Sequence, residues 1–330
     1  MDLSIVTSLY RSAPHILDFY RRVTQEARKV TEDFELIFVN DGSPDNSLEI
    51  VRSWLPSDGR IKIIDLSRNF GHHPAIMTGL EHARGDLVFL IDSDLEEAPE
   101  LLARFYEEMR SSEADVVYGV QETRNRGLLY RVQAAAYFRL FNFFSTYPIP
   151  KDLMTARLMT ARYVKSLVMH GEREFVLSGL WVITGYKQVG VSVPKLWKRA
   201  SSYDFTRKIN LLVNSITAFS ARPLILIFYL AWLILGVALI GVLSLVVGKI
   251  FFHIGIVGWT SVIVSVWMVG GILILCLGVI GIYISKLFLE AKARPRTIIR
   301  DIYQDEAINS HEPELPLVGE ATPHRQPARV

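Results

Sequence analysis

The sequence predicts an α/β domain with a mostly parallel sheet, followed by a pair of transmembrane helices. Two observations lead to this fold class. About the first 120 residues alternate short apolar runs with amphipathic stretches, and the last third contains two long uncharged runs. Apolar strands that alternate with helices are typical of a parallel sheet covered on both faces. An uncharged run of about 20 residues is long enough to cross a bilayer as a helix.

The predicted domain contains five strands and four helices in its first part. The strands are expected at 3–9, 34–39, 61–66, 87–91 and 116–120. The helices are expected at 14–30, 47–55, 74–83 and 100–110, where apolar residues recur with helical spacing. Ligands of such sheets bind beyond the carboxyl ends of the strands, so the residues directly after each strand are the first candidates for a site.

Polar clusters follow three of these strands, at 40–43, 67–69 and 92–94. In the third cluster, Asp92 and Asp94 are separated by one residue at a strand end. Such carboxylates can share Mg²⁺ or Mn²⁺, which takes its remaining ligands from water and substrate phosphates. An ordinary Asx turn is the alternative interpretation of this pair, and Asp41 in Asp-Gly-Ser has the same alternative.

Composition excludes several other functions. The chain has 36 Lys and Arg against 34 Asp and Glu, a net charge of +2, so we expect no nucleic-acid partner. Cys276 is the single cysteine, which rules out an internal disulfide and a cysteine-based zinc site. The adjacent His72 and His73 lack the spacing of a helical metal pair, and we expect polar loop residues there. The sequence contains no GxxxxGK[ST] phosphate loop and no Gly-x-Ser-x-Gly elbow.

Two uncharged runs, 223–248 and 250–285, are separated by Lys249. They predict transmembrane helices at about 223–247 and 258–285. The flanking basic residues are Arg207, Lys208 and Arg222 before the pair and Lys286, Lys292, Arg294, Arg296 and Arg300 after it. The positive-inside rule therefore places both termini in the cytoplasm, and no signal peptide is expected. The sequence thus predicts a multi-pass protein of the cytoplasmic (inner) membrane.

These patterns divide the chain into four parts. An α/β domain spans 1–204, and an amphipathic segment at 205–221 is expected to lie in the membrane interface. The two membrane helices occupy 222–290, and a basic cytoplasmic segment with a disordered tail follows at 291–330.

Two basic, aromatic stretches are suited to phosphate binding near a bilayer. The first holds Lys198, Arg199, Ser201 and Tyr203, and the second holds Arg124 and Arg139. Arginine favours bidentate contacts with phosphate. Simple attraction to anionic lipid explains the first stretch as well, and a solvated helix face explains the second.

Several segments together match a known family. They are FELIFVNDGSPDNS (34–47), LSRNFGHHPAIMTGLEHARGD (66–86), LIDSDLEEAPE (90–100), Arg157-Leu158-Met159, SSYDFTRK (201–208) and the closing pair of membrane helices. Over about residues 3–300 the chain resembles family 2 glycosyltransferases that act on polyprenyl phosphates, such as bactoprenol glucosyltransferases and dolichyl-phosphate mannose synthases. The resemblance implies a Rossmann-like GT-A fold, a nucleotide-sugar donor, a polyprenyl phosphate acceptor, a divalent metal ion and a homo-oligomer.

The resemblance also implies roles for individual residues. Asp41 would contact the base of the donor, Asp92 the nucleotide, and Asp94, together with Asp92, the metal ion on the diphosphate. Ser43 and Arg68 would complete the donor site. The residues near the donor or lipid phosphate would be Arg124, Arg139, Lys198, Arg199, Ser201 and Tyr203.

The expected reaction is inverting transfer of a sugar, with UDP-glucose favoured, to undecaprenyl phosphate for modification of a cell-envelope glycan. Departures from the family pattern, such as Asp-Ser-Asp-Leu-Glu-Glu-Ala-Pro at 92–99, leave the metal pair intact and do not specify the sugar. A processive polysaccharide synthase would need more spans and a Gln-x-x-Arg-Trp segment, which is absent. Glu172 and Glu174 are conceivable bases for the expected reaction. A tethered transferase with another sugar or protein acceptor would require a general base and would be indifferent to polyprenyl phosphate. A non-catalytic scaffold would bind sugar nucleotide without turnover.

Overall fold

The computed structural model of the chain describes residues 1–121, 153–173, 175–193, 222–252 and 258–304. Within these ranges eight strands form one sheet in the order β7-β5-β6-β4-β1-β2-β3-β8. The strands are β1 (Leu3–Leu9), β2 (Phe34–Asn40), β3 (Ile61–Leu66), β4 (Leu87–Leu90), β5 (Val116–Gln121), β6 (Leu153–Thr160), β7 (Gln188–Val193) and β8 (Ile299–Tyr303). The helices are α1 (Ile16–Val30), α2 (Ser47–Arg52), α3 (His72–Glu81), α4 (Leu101–Ser112), α5 (Ala161–Val168), α6 (Leu177–Ile183), α7 (Arg222–Phe252) and α8 (Trp259–Ala291).

The centre of the sheet is parallel. Strand β1 pairs in parallel with β2 and β4, and β2 pairs in parallel with β3. The carboxyl ends of these four strands therefore meet at one edge, which we call the carboxyl edge. Strand β6 runs antiparallel between β4 and β5, and β7 is parallel to β5. The predicted α/β fold with a mostly parallel sheet is confirmed.

Apolar side chains cover both faces of the sheet. All residues of β1, β2 and β3 are buried, because helices pack on either side of them. One cluster joins the sheet to α1 and α4 through Phe19 and Phe105, and the other joins it to α3 and α5 through Leu80 and Tyr163. Burial on both faces explains why these strands are continuous apolar runs in the sequence.

Some element boundaries differ from the prediction. Helix α3 begins at His72 rather than at Pro74, because Gly71 adopts a φ of 104° and serves as its N-cap. His72 and His73 therefore lie in the first turn of a helix, and their assignment to a loop was wrong. Proline is compatible with this position, since the first helical turn needs no amide donor from it.

Strand β8 follows the second long apolar helix and was not identified from the sequence. It pairs antiparallel with β3, with Ile63 opposite Tyr303. The chain thus returns to the edge of the sheet after α8. The amide of Arg173 also donates to Glu290 Oε1 at 2.6 Å, so the end of α8 contacts the α/β domain.

Helices are present at both predicted membrane positions. Within the part of the chain that the structure describes, one stretch has the length and apolarity of a membrane span. It is Ser265–Ala291 in α8, with a mean hydropathy of 2.5 and none of its apolar window buried. In α7 the apolar stretch Arg222–Ala238 is shorter. The predicted interfacial segment at 205–221 and the predicted disordered tail at 305–330 lie outside the described residues.

We predict that Gly79→Ala lowers the free energy of unfolding of the α/β domain by about 1–3 kcal/mol. Gly79 lies in α3, and an added Cβ would be 2.5 Å from Val6 Cγ1 and 2.9 Å from Val39 Cγ2. Helix α3 must then move away from the sheet. Chemical denaturation of the detergent-solubilised protein measures the change. Gly171→Ala is the control, since a Cβ there meets nothing within 4 Å; an equal loss in both variants contradicts the packing shown.

Candidate functional site

The acidic loop, residues 92–97, begins where β4 reaches the carboxyl edge. The side chain of Asp92 is 26% exposed, and that of Asp94 is exposed. Asp94 Oδ1 accepts a hydrogen bond from the Glu96 amide at 3.0 Å, so the predicted Asx turn is present. Leu95 has a φ of 59°, a left-handed conformation that costs a non-glycine residue about 1–2 kcal/mol. Backbone strain of this kind is concentrated at ligand-binding and catalytic sites.

A buried relay of hydroxyl groups fixes this loop to the end of β1. The Tyr10 amide donates to Ser12 Oγ at 3.2 Å, and Ser12 Oγ lies 2.9 Å from Ser93 Oγ. Ser93 Oγ donates in turn to the Ser8 carbonyl at 2.9 Å. Each hydroxyl in the relay has both a donor and an acceptor, which is required of polar groups buried this deeply. Ser93, the middle residue of Asp-Ser-Asp, therefore sets the position of the two flanking carboxylates.

His72 connects the same two strand ends from the outside. Its Nδ1 lies 3.1 Å from Ser8 Oγ, and its Nε2 lies 3.3 Å from Asp92 Oδ1. The side chain is 44% exposed and faces the carboxyl edge beside the acidic loop. His72 was not predicted from the sequence as a site residue, because the adjacent His72 and His73 lack the spacing of a helical metal pair. Its position directly after Gly71, at the start of a helix that follows a strand end, was the available signal.

His73, beside His72, is partly buried. Its ring stacks on Phe175 with the centroids 6.4 Å apart. Burial, and secondarily the neighbouring His72, lowers the pKa of His73 to about 4. His73 is therefore neutral at neutral pH, and it joins α3 to the loop that precedes α6.

Asp41 is buried and holds the start of α3. Its Oδ1 accepts the Phe70 amide at 2.7 Å, and its Oδ2 accepts the Gly71 amide at 3.0 Å. The Asn69 side chain also donates to the Asp41 carbonyl at 3.0 Å. Burial raises the pKa of Asp41, although the two amides act in the opposite direction. A contact between Asp41 and a nucleotide base stays a prediction.

The two remaining predicted donor residues lie on either side of Asp41. Ser43 Oγ accepts the Arg11 amide at 2.8 Å and donates to Asp45 Oδ1 at 2.6 Å. Arg68 donates to the Asn69 carbonyl at 2.9 Å, and its guanidinium stacks 4.0 Å from the centroid of the Phe70 ring. Ser43 is thus held inside a loop, whereas Arg68 is at the exposed surface of the site.

The described residues that were predicted from sequence meet at the carboxyl edge. They are Asp41, Ser43, Arg68, Asp92 and Asp94. Other predicted residues lie outside the described ranges, namely Arg124, Arg139, Glu174, Lys198, Arg199, Ser201 and Tyr203. Glu172 is described: burial raises the pKa of its carboxyl, and the nearby Glu290 at the end of α8 acts in the same direction.

Asp92 and Asp94 provide the chemistry that a hard divalent cation prefers. Both carboxylates are at least partly accessible, and Mg²⁺ is commonly held by one or two carboxylates together with substrate phosphates. Within the described ranges, no group of three or more His, Cys, Asp or Glu residues has metal-binding geometry. The donor set therefore fits a cation that is completed by a phosphate-bearing substrate, and does not fit a closed protein cage.

Two buried residues of opposite charge, Glu97 and Arg157, support the far side of the acidic loop. Glu97 accepts the amides of Thr155 and Ala156 at 2.9 and 2.7 Å, which anchors the loop to β6. Arg157, opposite Leu90 in the neighbouring strand, is fully buried and donates to the carbonyls of Thr155 and Met154. Burial lowers its pKa to about 9, so the cation persists at neutral pH. Arg157 was quoted in a sequence motif without a role, and the structure assigns it a supporting one.

The chain is similar in sequence to known glycosyltransferases. The family model for glycosyl transferase family 2 matches residues 4–166. A protein of Mycobacterium tuberculosis (strain CDC 1551) described as a glycosyltransferase is 52% identical over 92% of this chain and 89% of its own length. The glycosyltransferase YkcC of Bacillus subtilis (strain 168) is 35% identical over 92% of this chain and 94% of its own. A prophage bactoprenol glucosyl transferase homolog of Escherichia coli (strain K12) is 30% identical over 92% and 99%.

The depressed pKa of His73 predicts a loss of stability in acid. The folded state favours the neutral ring, so the contribution is complete above the unfolded pKa of 6.5 and is lost as the pH falls towards about 4. His73→Phe keeps the stack on Phe175 and removes the titration. We expect wild-type protein to lose up to about 3 kcal/mol relative to this variant between pH 6.5 and 4, measured by chemical denaturation. Parallel stability curves for the two proteins contradict this assignment.

Proposed function

The chain belongs to glycosyl transferase family 2, and from this premise we propose that it transfers a sugar from a nucleotide sugar to a polyprenyl phosphate at a membrane surface. The observation that carries the proposal is a carboxyl edge with Asp92 and Asp94 in a chain that also contains two long apolar helices. The E. coli relative named for bactoprenol glucosyl transfer, which this chain matches over 99% of its length, supports the acceptor and a glucosyl group as the sugar. We propose UDP-glucose as the donor.

The donor occupies the carboxyl edge in this proposal. Asp92 and Asp94 would hold Mg²⁺ or Mn²⁺, while Asp41, Ser43 and Arg68 would surround the nucleoside. The cation would supply positive charge that stabilises the departing nucleoside diphosphate. His72 and Ser93 keep Asp92 and Asp94 in place through their contacts with the end of β1. The protein thus contributes a prearranged pair of carboxylates, which is what electrostatic catalysis requires.

The proposed acceptor needs to be positioned for attack but needs no strong general base. A polyprenyl phosphate is an anion near neutral pH, so its oxygen can attack the anomeric carbon without a strong general base. The anomeric carbon–oxygen bond to the diphosphate breaks as the bond to the acceptor oxygen forms, with inversion. We assign the acceptor phosphate to the cations and hydroxyls predicted from sequence, namely Arg124, Arg139, Lys198, Arg199, Ser201 and Tyr203.

The membrane part delivers the acceptor to this site. A lipid headgroup is confined to the bilayer surface, so the catalytic domain must be held at that surface. We propose that α7 and α8 both cross the cytoplasmic membrane, with both termini in the cytoplasm and the segment 205–221 in the interface. Contacts of Glu290 with Arg173, and of β8 with β3, support a fixed connection between α8 and the catalytic domain. We also propose that the protein acts as a homo-oligomer.

A transfer assay tests this proposal. Purified full-length protein is incubated with undecaprenyl phosphate, Mg²⁺ or Mn²⁺, and a panel of radiolabelled UDP- and GDP-sugars. We expect label to enter the organic phase with one donor, most efficiently UDP-glucose, and to be abolished by chelation. Asp94→Asn should lower kcat/KM by about 100-fold or more, because the cation at the diphosphate loses a ligand.

Asp86→Asn is the matched control. Asp86 is exposed and precedes β4, whereas Asp92 and Asp94 follow this strand. The activity of Asp86→Asn should therefore remain close to that of wild-type protein. Nucleotide-sugar binding without lipid-linked product from any donor would refute the polyprenyl acceptor, and would favour another acceptor or a scaffold. Undiminished transfer by Asp94→Asn would refute the metal assignment.

A further inference from the structure

The segment that follows the second apolar helix, residues 292–304, lies along β3 and α3 beside the donor loops. The Ser67 amide donates to the Ile298 carbonyl at 2.9 Å. Thr297 Oγ1 lies 2.7 Å from Thr78 Oγ1 on α3, and Arg296 pairs with Glu81 at 3.0 Å. The segment is therefore attached to the strand and the helix whose connecting loop, 67–71, borders the proposed donor site.

The pairing of β8 with β3 is irregular at Arg300. Asp65 is opposite Asp301, but the next residue, Leu66, is opposite Ile299. Arg300 is therefore an extra residue in β8, the arrangement of a β-bulge. Bulges redirect a side chain relative to the regular alternation of the strand, and they are frequent beside active sites.

The guanidinium of Arg300 contacts a buried carboxylate and a loop carbonyl. Its Nη1 lies 3.4 Å from Asp65 Oδ2, and its Nη2 donates to the Ser67 carbonyl at 2.7 Å. Asp65 is 1% exposed, whereas the Arg300 side chain is 54% exposed. An exposed cation contributes little by itself. Its removal, however, leaves a buried carboxylate with less compensation, which is costly.

Asp65 also contacts Asn40, which precedes the loop of the proposed donor site. Its other oxygen, Oδ1, accepts a hydrogen bond from Asn40 Nδ2 at 2.7 Å, and Asn40 Oδ1 accepts the Ser43 amide at 3.2 Å. Asn40 and Ser43 enclose Asp41 in the loop after β2. An ion pair and two hydrogen bonds therefore connect Arg300, which follows α8 in the sequence, to Ser43 in the loop assigned to the nucleoside.

We propose that Arg300 is a positioning residue for the nucleotide, and that the segment 292–304 completes the donor site. It acts through Asp65 and Asn40, which orient the loop 40–43, and through the Ser67 carbonyl, which fixes the start of the loop 67–71. The attachment of the segment 292–304 to β3 and α3 then affects the affinity of the protein for the donor. The inference rests on the proposed function only in that the carboxyl edge binds a nucleoside diphosphate.

The test measures binding of UDP and of GDP, with Mn²⁺, to full-length detergent-solubilised protein. We expect Arg300→Gln to raise the Kd of the nucleotide that the wild-type protein binds by about tenfold. Arg294→Gln is the matched control, because Arg294 is an exposed cation of the same segment. Its Kd should be unchanged. Arg300→Lys should lie between wild type and Arg300→Gln, since an ammonium lacks the fork that reaches both oxygen atoms.

A double variant separates positioning from general stability. In Asp65→Asn the buried charge is gone while an oxygen remains for Asn40, so adding Arg300→Gln should raise the Kd by less than it does in wild-type protein, because only the bond to the Ser67 carbonyl is then lost. The KM for undecaprenyl phosphate should be unaffected by Arg300→Gln, because the donor loops alone move. An unchanged nucleotide Kd in Arg300→Gln, or an equal change in Arg294→Gln, overturns the inference. Nucleotide binding needs no acceptor, so an error in the proposed acceptor shows in the transfer assay and leaves this result readable.

Discussion

The central interaction of the site is the pair of backbone hydrogen bonds that the buried carboxylate of Asp41 accepts. The carboxylate accepts the amides of Phe70 and Gly71 and so fixes the first turn of α3 against the end of β2. That turn places His72 between Ser8 and Asp92. Asp41 thus joins the loop 40–43 to the loop 67–71 and, through His72, adds a contact to the acidic loop, which Ser93 and Glu97 also hold.

A sequence can reveal such a site only where the pattern is local. The apolar runs of β1 to β4 and the polar residues directly after them are local, which is why Asp41, Asp92 and Asp94 were identified. The contact of His72 with Asp92 joins two strand ends and has no spacing signature. Arg157 interrupts an apolar strand, and its burial depends on carbonyls of its own strand and on Trp181. Arg300 and Ser67 are 233 positions apart, with both long apolar helices between them.

The return of the chain to the sheet gives the segment after α8 a structural role in the α/β domain. Strand β8 closes the β3 edge of the sheet, and Arg296 and Thr297 are joined to α3. Helix α3 is the element whose start Asp41 holds. The loops at the carboxyl edge are thereby held from within the domain by Asp41 and from the sheet edge by the segment 292–304. Under the proposed transfer to a polyprenyl phosphate, this arrangement would keep the donor site and the bilayer in one relative position.

Hydrogen exchange of the amides of Phe70 and Gly71 in Asp41→Asn, measured together with nucleotide binding, tests this account most directly. The amide side chain keeps one acceptor oxygen and turns a donor towards the second backbone amide. The account predicts faster exchange at the start of α3, unchanged exchange in β1 and β2, and weaker nucleotide binding. Weaker binding with unchanged exchange at Phe70 and Gly71 would contradict it, because Asp41 would then act on the nucleotide alone.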